Sequence, residues 1–353
     1  MSYAFLLLAP TLVLIFSFIV WHKKYTLAEV AGQFVVQALL IGIVVLATYF
    51  SSLMDINMIN GEVIKKEMVR VACKHSYPCN CVSVSCGKDC TTTVCQTCYL
   101  HAYDQEWRVY SNIGKSWNIH TLDAQGLKEP PRWTAVVIGE PVTTTEPYKN
   151  YLKHNPDALM LKKGYASKFK GKLPKYPSHI YDYYHCDRVI SLDGVPGVDK
   201  TWSRLLEQIL RQVGPAKQCN IVVVIGKDLP HDFFYALQEE WINGKKNDVI
   251  PVISVDENMN IQWVEVMSLA KYSIINVRVR DNLLALKKLE RDTMLQALKD
   301  TILQDYIRLP MQEFEYLNAS KTLTGAQFLG LSIFSLLLSI GLSIFCIKND
   351  VTD

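Results

Sequence analysis

Apolar residues concentrate in three uninterrupted runs that bracket a long interior of mixed polarity. Residues 4–21, 32–53 and 325–347 contain no Asp, Glu, Lys or Arg. Each is close to the ~20 residues that a helix needs to cross the hydrocarbon core. Each also mixes Leu, Ile, Val and Phe with small residues, as spanning helices do. The pattern predicts a membrane protein with three transmembrane helices. Pro10 sits inside the first run, and an uncleaved signal segment has a similar look. The run lacks a basic start, however, and no small-x-small cleavage site follows it, so it reads as the first arm of a membrane hairpin. In the third run Ser332, Ser335, Ser339 and Ser343 fall near one stripe, and Gly325, Gly330 and Gly341 add small surfaces. That stripe suits a helix–helix contact, with the hairpin as the available neighbour.

The interior changes period along its length. Residues 106–113 alternate as EWRVYSNI, and runs at 117–122 and 132–138 follow, separated by turn signals at 112–114, 125–126 and 130–131. These predict a small strand-rich module. From residue 188 the pattern becomes α/β. Asp199 is placed to cap a helix in which Trp202, Leu205, Leu206, Ile209, Leu210 and Val213 share a face, with Gly214-Pro215 as its stop. The continuous run NIVVVI at 220–225 predicts a strand buried on both faces. A helix from Pro230 carries Phe233, Phe234, Leu237 and Trp241, and the turn Asn243-Gly244 ends it. Strands at 249–255 and 261–266 form a hairpin across 257–260. A further strand is expected at 274–279, then a long helix from Asp281 to Ile302. Helices over a mixed sheet make this an α/β sandwich. The expected organisation is a transmembrane hairpin at 1–56, a Cys-rich β module at 57–145, a connector at 146–187, the α/β domain at 188–320 and a C-terminal transmembrane helix at 324–347.

Charge refines this picture only locally. The net charge of +3 over 353 residues points to no particular partner. His22, Lys23 and Lys24 form the loop between the first two runs, and short basic loops stay cytoplasmic. That places the interior outside, in an integral protein of a bacterial inner or plasma membrane. Lys65, Lys66 and Lys321 pull mildly the other way. The connector interleaves lysines from Lys149 to Lys175 with tyrosines from Tyr148 to Tyr184. Lysines neutralise phosphates and tyrosines stack on bases, and the same composition lies well on anionic headgroups. A solvated linker is the preferred reading, and no specific nucleic acid is expected.

Cysteine carries the strongest chemical signal. Seven of the ten cysteines fall in one stretch: Cys73, Cys79, Cys81, Cys86, Cys90, Cys95 and Cys98. The spacing Cys95-x2-Cys98 lets two thiolates grip one zinc ion, and Cys79-x-Cys81 can supply the other pair. His75 and His101 are reserve ligands. The alternative is disulfides, the default in an oxidising compartment. Seven is odd, so one cysteine then pairs with Cys186 or Cys219 or stays free. Either way the cluster staples a loop-rich segment. His179, Asp182, His185 and Cys186 are close in sequence, but a tyrosine-rich surface strand with incidental histidines is the better reading. Asn318-Ala-Ser320 matches a glycosylation triplet beside the membrane. No phosphate loop, nucleophile elbow, zinc-protease helix or dinucleotide fingerprint is present.

Three stretches of the α/β segment give residues 188–317 a resemblance to the TPM-domain family. They are RVISLDGVPG with Asp193, the strand NIVVVIG, and WINGKKNDVIPVISVDENMNIQWVEV. The resemblance implies a small α/β domain outside the membrane, tethered by a following helix. Asp193, Asp248 and Asp256 are the acidic positions it carries over. This chain departs at Asn247-Asp248, where the family has Asn-Gly, and around Met267-Ser268. Some members of that family are phosphatases or metal-binding assembly factors. The expected function is a membrane-anchored, non-enzymatic binding or assembly protein with a protein or membrane-surface partner, contacted around Trp241, Lys245 and Lys246. The alternative is a phosphatase of the TPM type, with a divalent cation held by Asp193 and Asp248.

Overall fold

The computed structural model describes residues 6–22, 24–87, 90–159, 161–192, 195–320 and 325–349. Contacts divide the chain into two units, Met1–Asp55 with Tyr148–Met160 and Met311–Asp353, and Ile56–Pro147 with Leu161–Pro310.

In the first unit, helix α1 spans Leu8–Val20. Pro10 falls in its first turn, where a missing N–H loses no intrahelical bond. At ~1.5 Å per residue the 13 residues of α1 extend only about 20 Å, short of the ~30 Å hydrocarbon core. Among the described residues two helices are long and apolar enough to cross a membrane, α2 at Leu27–Leu53 and the C-terminal helix at Gly325–Lys348. Helix α2 starts five residues ahead of the charge-free run because Thr26 and Glu29 form a capping box. The Thr26 amide donates to Glu29 Oε2 at 2.7 Å, and the Glu29 amide to Thr26 Oγ1 at 3.3 Å. Such reciprocal capping satisfies two donors left over at a helix start. The serine stripe meets the hairpin as its spacing suggested. Gln33 donates to Ser339 O at 3.1 Å and Ser343 Oγ at 3.3 Å, and Ser339 Oγ donates to Pro10 O at 3.2 Å. Of the basic loop, Lys23 lies outside the described residues.

The second unit contains three sheets. Strand β1 (Met54–Val71) is followed by β2 (Ser76–Gly87), β3 (Cys90–Tyr99), β4 (Asp104–Ser111) and β5 (Ser116–Ile119). A short helix α3 (Pro131–Ala135) precedes β6 (Pro141–Lys149). One sheet has the order β5-β4-β1-β6, and β2 and β3 form a separate two-stranded ribbon. Val63, Trp107, Val109, Ile119, Val142 and Tyr184 build the core on the first sheet. Trp107 Nε1 donates to Gly126 O at 2.9 Å. Gly126 has φ +79, and a Cβ there would lie 2.2 Å from Gln105 O, so only glycine fits. The run at 132–138 is this short helix and a turn instead of a strand. Pro131 at its start pre-sets a helical φ.

The third sheet is formed by β7 (Val189–Ser191), β8 (Asn220–Ile221), β9 (Val223–Lys227), β10 (Asp248–Val255) and β11 (Ile261–Ser268). Its order is β11-β10-β9-β7, with β8 beside β10. Strands β7, β9 and β10 are parallel, and β10 and β11 form the antiparallel hairpin. The longer helices of the unit are α4 (Lys200–Lys217), α5 (Asp232–Glu240), α6 (Ile274–Ala285) and α7 (Arg291–Asp305). Residues of α4, α6 and α7 share a core with Ile221, Val223, Ile225 and Ile253. Residues of α5 share the other core with Val222, Val224, Ile250 and Val252. Alternate strand residues thus feed opposite faces, which is why these strands read as unbroken apolar runs.

Several elements differ from the sequence reading. Helix α4 is capped by Asp199, which accepts from the Thr201 amide at 2.9 Å, but it passes through Gly214-Pro215 and ends at Gln218, φ +52. Gly214 is there for contact: a Cβ would sit 2.5 Å from Asn60 O. Residues 274–279 are helical. Their alternation of Val and Arg mimics a strand, but Ile275, Val279 and Leu283 are the buried positions, spaced four apart as one helical face requires. Lys287 at φ +59 separates α6 from α7, where one long helix had been expected. Most of the basic segment is no solvated linker. Phe169, Leu173 and Tyr176 pack into the α5 core and Tyr184 into the Trp107 core. Two of its lysines lie over rings, Lys162 Nζ 3.5 Å from the Tyr235 centroid and Lys168 Nζ 4.2 Å from that of Tyr165.

Candidate metal centre

The cysteine cluster is a β-hairpin and not a loop-rich segment. Ser76 pairs with Tyr99 and Gly87 with Cys90. The four cysteines nearer its root form two disulfides, Cys79–Cys98 and Cys81–Cys95. The pairing runs between the strands, outer with outer and inner with inner: the register sets Cys79 opposite Gln96 and Cys98 opposite Tyr77, so the outer bond is diagonal, and the inner one falls at the register shift between Cys79 and Val82. Thiols so bonded are not zinc ligands, so of the two readings of Cys79, Cys81, Cys95 and Cys98 the disulfide form is the one present. Cys86 is disulfide-bonded as well.

A different set of donors converges at the root of the hairpin. Cys73 follows β1, His75 precedes β2, His101 follows β3, and Asp104 opens β4. The β1–β4 register sets Val71 opposite Asp104, and the Leu100 amide donates to His75 O at 3.0 Å. The two sheets therefore close on this point. One ligand atom from each of Cys73, His75, His101 and Asp104 lies within 4.8 Å of the others. Cys73 Sγ is 3.6 Å from His101 Nδ1, which is 3.2 Å from Asp104 Oδ1. His75 Nδ1 is 3.5 Å from Asp104 Oδ2. Thiolate, imidazole and carboxylate are the donors zinc takes, at ~2.0–2.3 Å in a tetrahedron whose edges are roughly 3.4–3.8 Å. The separations of 3.2–3.6 Å lie near those edges, and any approaching 4.8 Å must close by about 1 Å to reach that geometry.

Supporting contacts orient the set. The Lys74 amide donates to Asp104 Oδ2 at 2.8 Å. That bond, with help from Cys73 and His101, holds the Asp104 carboxyl below the usual carboxylate range. Such outer contacts fix the direction of a ligating carboxylate. Cys73 and Asp104 are buried, while His75 is exposed and His101 half-buried, so an ion can arrive from the histidine side. A cavity of about 160 Å³ lies there, beside His75, Asp104 and His120. The residues present can hold a metal ion. Two of them, His75 and His101, were reserve ligands on sequence grounds. Asp104 was missed, although the spacings Cys73-x-His75 and His101-x2-Asp104 were the available signal.

The other named residues do not join this centre. Asp193 lies outside the described residues. Asp248 is fully buried. It accepts from Tyr176 Oη at 2.9 Å, Asn220 Nδ2 at 2.9 Å and the Lys245 amide at 2.8 Å. Burial pushes its pKa up, against those three bonds. Asp256 caps the β10–β11 turn through the Asn258 and Asn260 amides. Trp241 and Lys246, expected on a contact surface, are 8% and 7% exposed. Trp241 Nε1 donates to Pro174 O at 3.0 Å and its ring meets Tyr176 edge-on. The folded-back 161–187 segment covers it. His185 leaves Cys186 and enters an ion network. Its Nε2 is 3.2 Å from Glu140 Oε1 and its Nδ1 is 3.1 Å from Glu207 Oε2. Arg132 reaches Glu140 at 2.9 Å and Asp182 at 2.8 Å. Burial opposes charge on His185, yet the bonds to Glu140 and Glu207 carry its pKa up to about 9.

Comparison with protein-family models, with curated proteins and with solved structures gave no match.

Proposed function

We propose that this chain is a membrane-anchored, non-enzymatic binding or assembly protein. It presents its polar unit outside the cytoplasm to a protein or membrane-surface partner. The observation that carries the reading is the disulfide-paired ribbon in a chain bracketed by apolar helices. Disulfides persist in oxidising compartments, and two spans at the ends of a polar unit keep that unit on one side. The ribbon offers the recognition surface. Tyr77, Val82, Val84, Val94 and Tyr99 are exposed on it, and its crosslinks hold them in a fixed array. A zinc ion on Cys73, His75, His101 and Asp104 would clasp the root and set the direction of the ribbon.

A phosphatase reading would need an open carboxylate pair. Asp248, already holding three hydrogen-bond donors in a dry site, supports it poorly.

A membrane-impermeant lysine reagent on intact cells tests the arrangement. Lysines of the interior, such as Lys74 and Lys115, should be modified while Lys23 and Lys24 are protected. Protection of the interior together with modification of Lys24 reverses the sidedness and removes the case for an external binding unit.

A further inference from the structure

The second unit has a cleft that neither the metal centre nor the ribbon touches. Its volume is about 290 Å³, at the small end of ligand pockets. The floor comes from the start of β1, the end of α4 and the turn before β10, and the rim from Asn112, Glu146 and Gln218. The floor residues Asn57 and Asn247 are each 3% exposed, and the side-chain oxygen of each is buried with no hydrogen-bond partner. Asn247 is held in place by donating its amide to Met58 O at 2.7 Å, which leaves its carbonyl unpaired. Arg308 lines the same cleft. One of its terminal nitrogens donates to Gln218 Oε1, and its Nε is buried without an acceptor. A buried polar atom with no partner is destabilising. Three of them around one cavity mark a place where something else supplies the partners.

The unmet groups specify that partner. Two carbonyl oxygens call for a donor, and a guanidinium N–H calls for an acceptor. Glu146 and Arg308 both line the cleft, so it offers one anionic and one cationic group. A bare metal cation would be repelled by Arg308 and a phosphate by Glu146. No lining residue is aromatic, so the stacking face that sugar sites use is missing. Met58, Ile59, Ile113 and Pro215 supply an apolar wall. We infer that this cleft binds a small zwitterion of the free amino-acid class. Its ammonium is taken by the Asn57 and Asn247 carbonyls, its carboxylate by Arg308, and an apolar side chain by the wall.

The test is calorimetric titration of the full-length, detergent-solubilised chain with L-leucine, L-leucinamide and N-acetyl-L-leucine. Leucine should bind, and both blocked forms should bind about tenfold or more weakly, the size expected for losing a charged hydrogen bond. Arg308→Gln should abolish the preference for leucine over leucinamide, and Asn57→Ala should reduce the preference for leucine over its acetylated form. Lys170→Ala, an exposed residue outside the cleft lining, should still bind leucine as the unaltered chain does. The inference is overturned by absence of leucine binding at millimolar concentration in the unaltered chain. Equal binding of the blocked forms overturns it too, as does leucine binding that is indifferent to Arg308→Gln and Asn57→Ala.

Discussion

Replacing His185 by glutamine should remove a specific piece of pH-dependent stability. The imidazole lies between two carboxylates, 3.2 Å from Glu140 and 3.1 Å from Glu207, and faces Arg132 Nη2 at 3.4 Å. Burial opposes its charge, and the two carboxylates outweigh it. A pKa raised from 6.5 to about 9 corresponds to roughly 3 kcal/mol at ~1.4 kcal/mol per unit. Discounting for the partly solvated edge of the ring leaves about 2 kcal/mol. The folded-state pKa is the higher one, so this stabilisation is complete below pH ~6.5 and is lost as the pH rises through about 9. Glu140 behaves oppositely. Burial raises its pKa, but His185 and Arg132 bring it down to about 2, so its contribution is lost only as the pH falls below ~4.5 towards 2. The two windows do not overlap. Urea unfolding of the solubilised chain, followed by tryptophan fluorescence, reads the effect, since the Trp117 ring lies 5.1 Å from that of Tyr184 beside the network. Between pH 6 and 10 the unaltered chain should lose about 2 kcal/mol more than His185→Gln, a neutral residue that keeps hydrogen-bonding capacity. Parallel profiles for the two proteins would refute the assignment of His185 as a charged bridge.

Three further outcomes are expected. The bonds Cys79–Cys98 and Cys81–Cys95 close loops with sequence separations of 19 and 14, each worth about 3 kcal/mol on chain-entropy grounds. Serine at both Cys95 and Cys98 should therefore open residues 76–99 to protease while the β7–β11 sheet stays resistant, and unchanged cleavage would show the crosslinks to be dispensable. Metal analysis of purified protein should find about one zinc per chain, lost in a variant combining Cys73→Ser with His101→Ala but retained in Cys86→Ser. Equal zinc in the first variant and the unaltered chain would rule out the root of the hairpin as the site. Gly126→Ala should destabilise by about 1–3 kcal/mol, because a positive φ and the Gln105 carbonyl both exclude a Cβ. A melting temperature unchanged by that substitution would contradict the placement of the turn.

Much of the architecture is written in local pattern. The apolar runs announce two helices able to span a membrane, because a charge-free stretch of that length has few other stable environments. The strands at 220–227 and 248–255, the hairpin to 268 and the Asp199 cap follow from unbroken apolar runs and from side chains acting on their own backbone. Period misled where β-branched residues alternate with arginine at 274–279, since burial every fourth residue, set by the sheet beneath, overrode local preference. The cysteines were legible as a staple, but their partners were not: register across two strands decides which sulfurs meet. Asp104 joins His75, His101 and Cys73 only because the end of β1 meets the start of β4 at the foot of the ribbon. The cleft at Asn57, Asn247 and Arg308 likewise draws on positions about 190 and 60 residues apart. Sequence determines what each segment can do alone, through spacing, capping and solvent preference. Only the tertiary structure decides which distant polar groups share a dry space, because that depends on how whole faces pack.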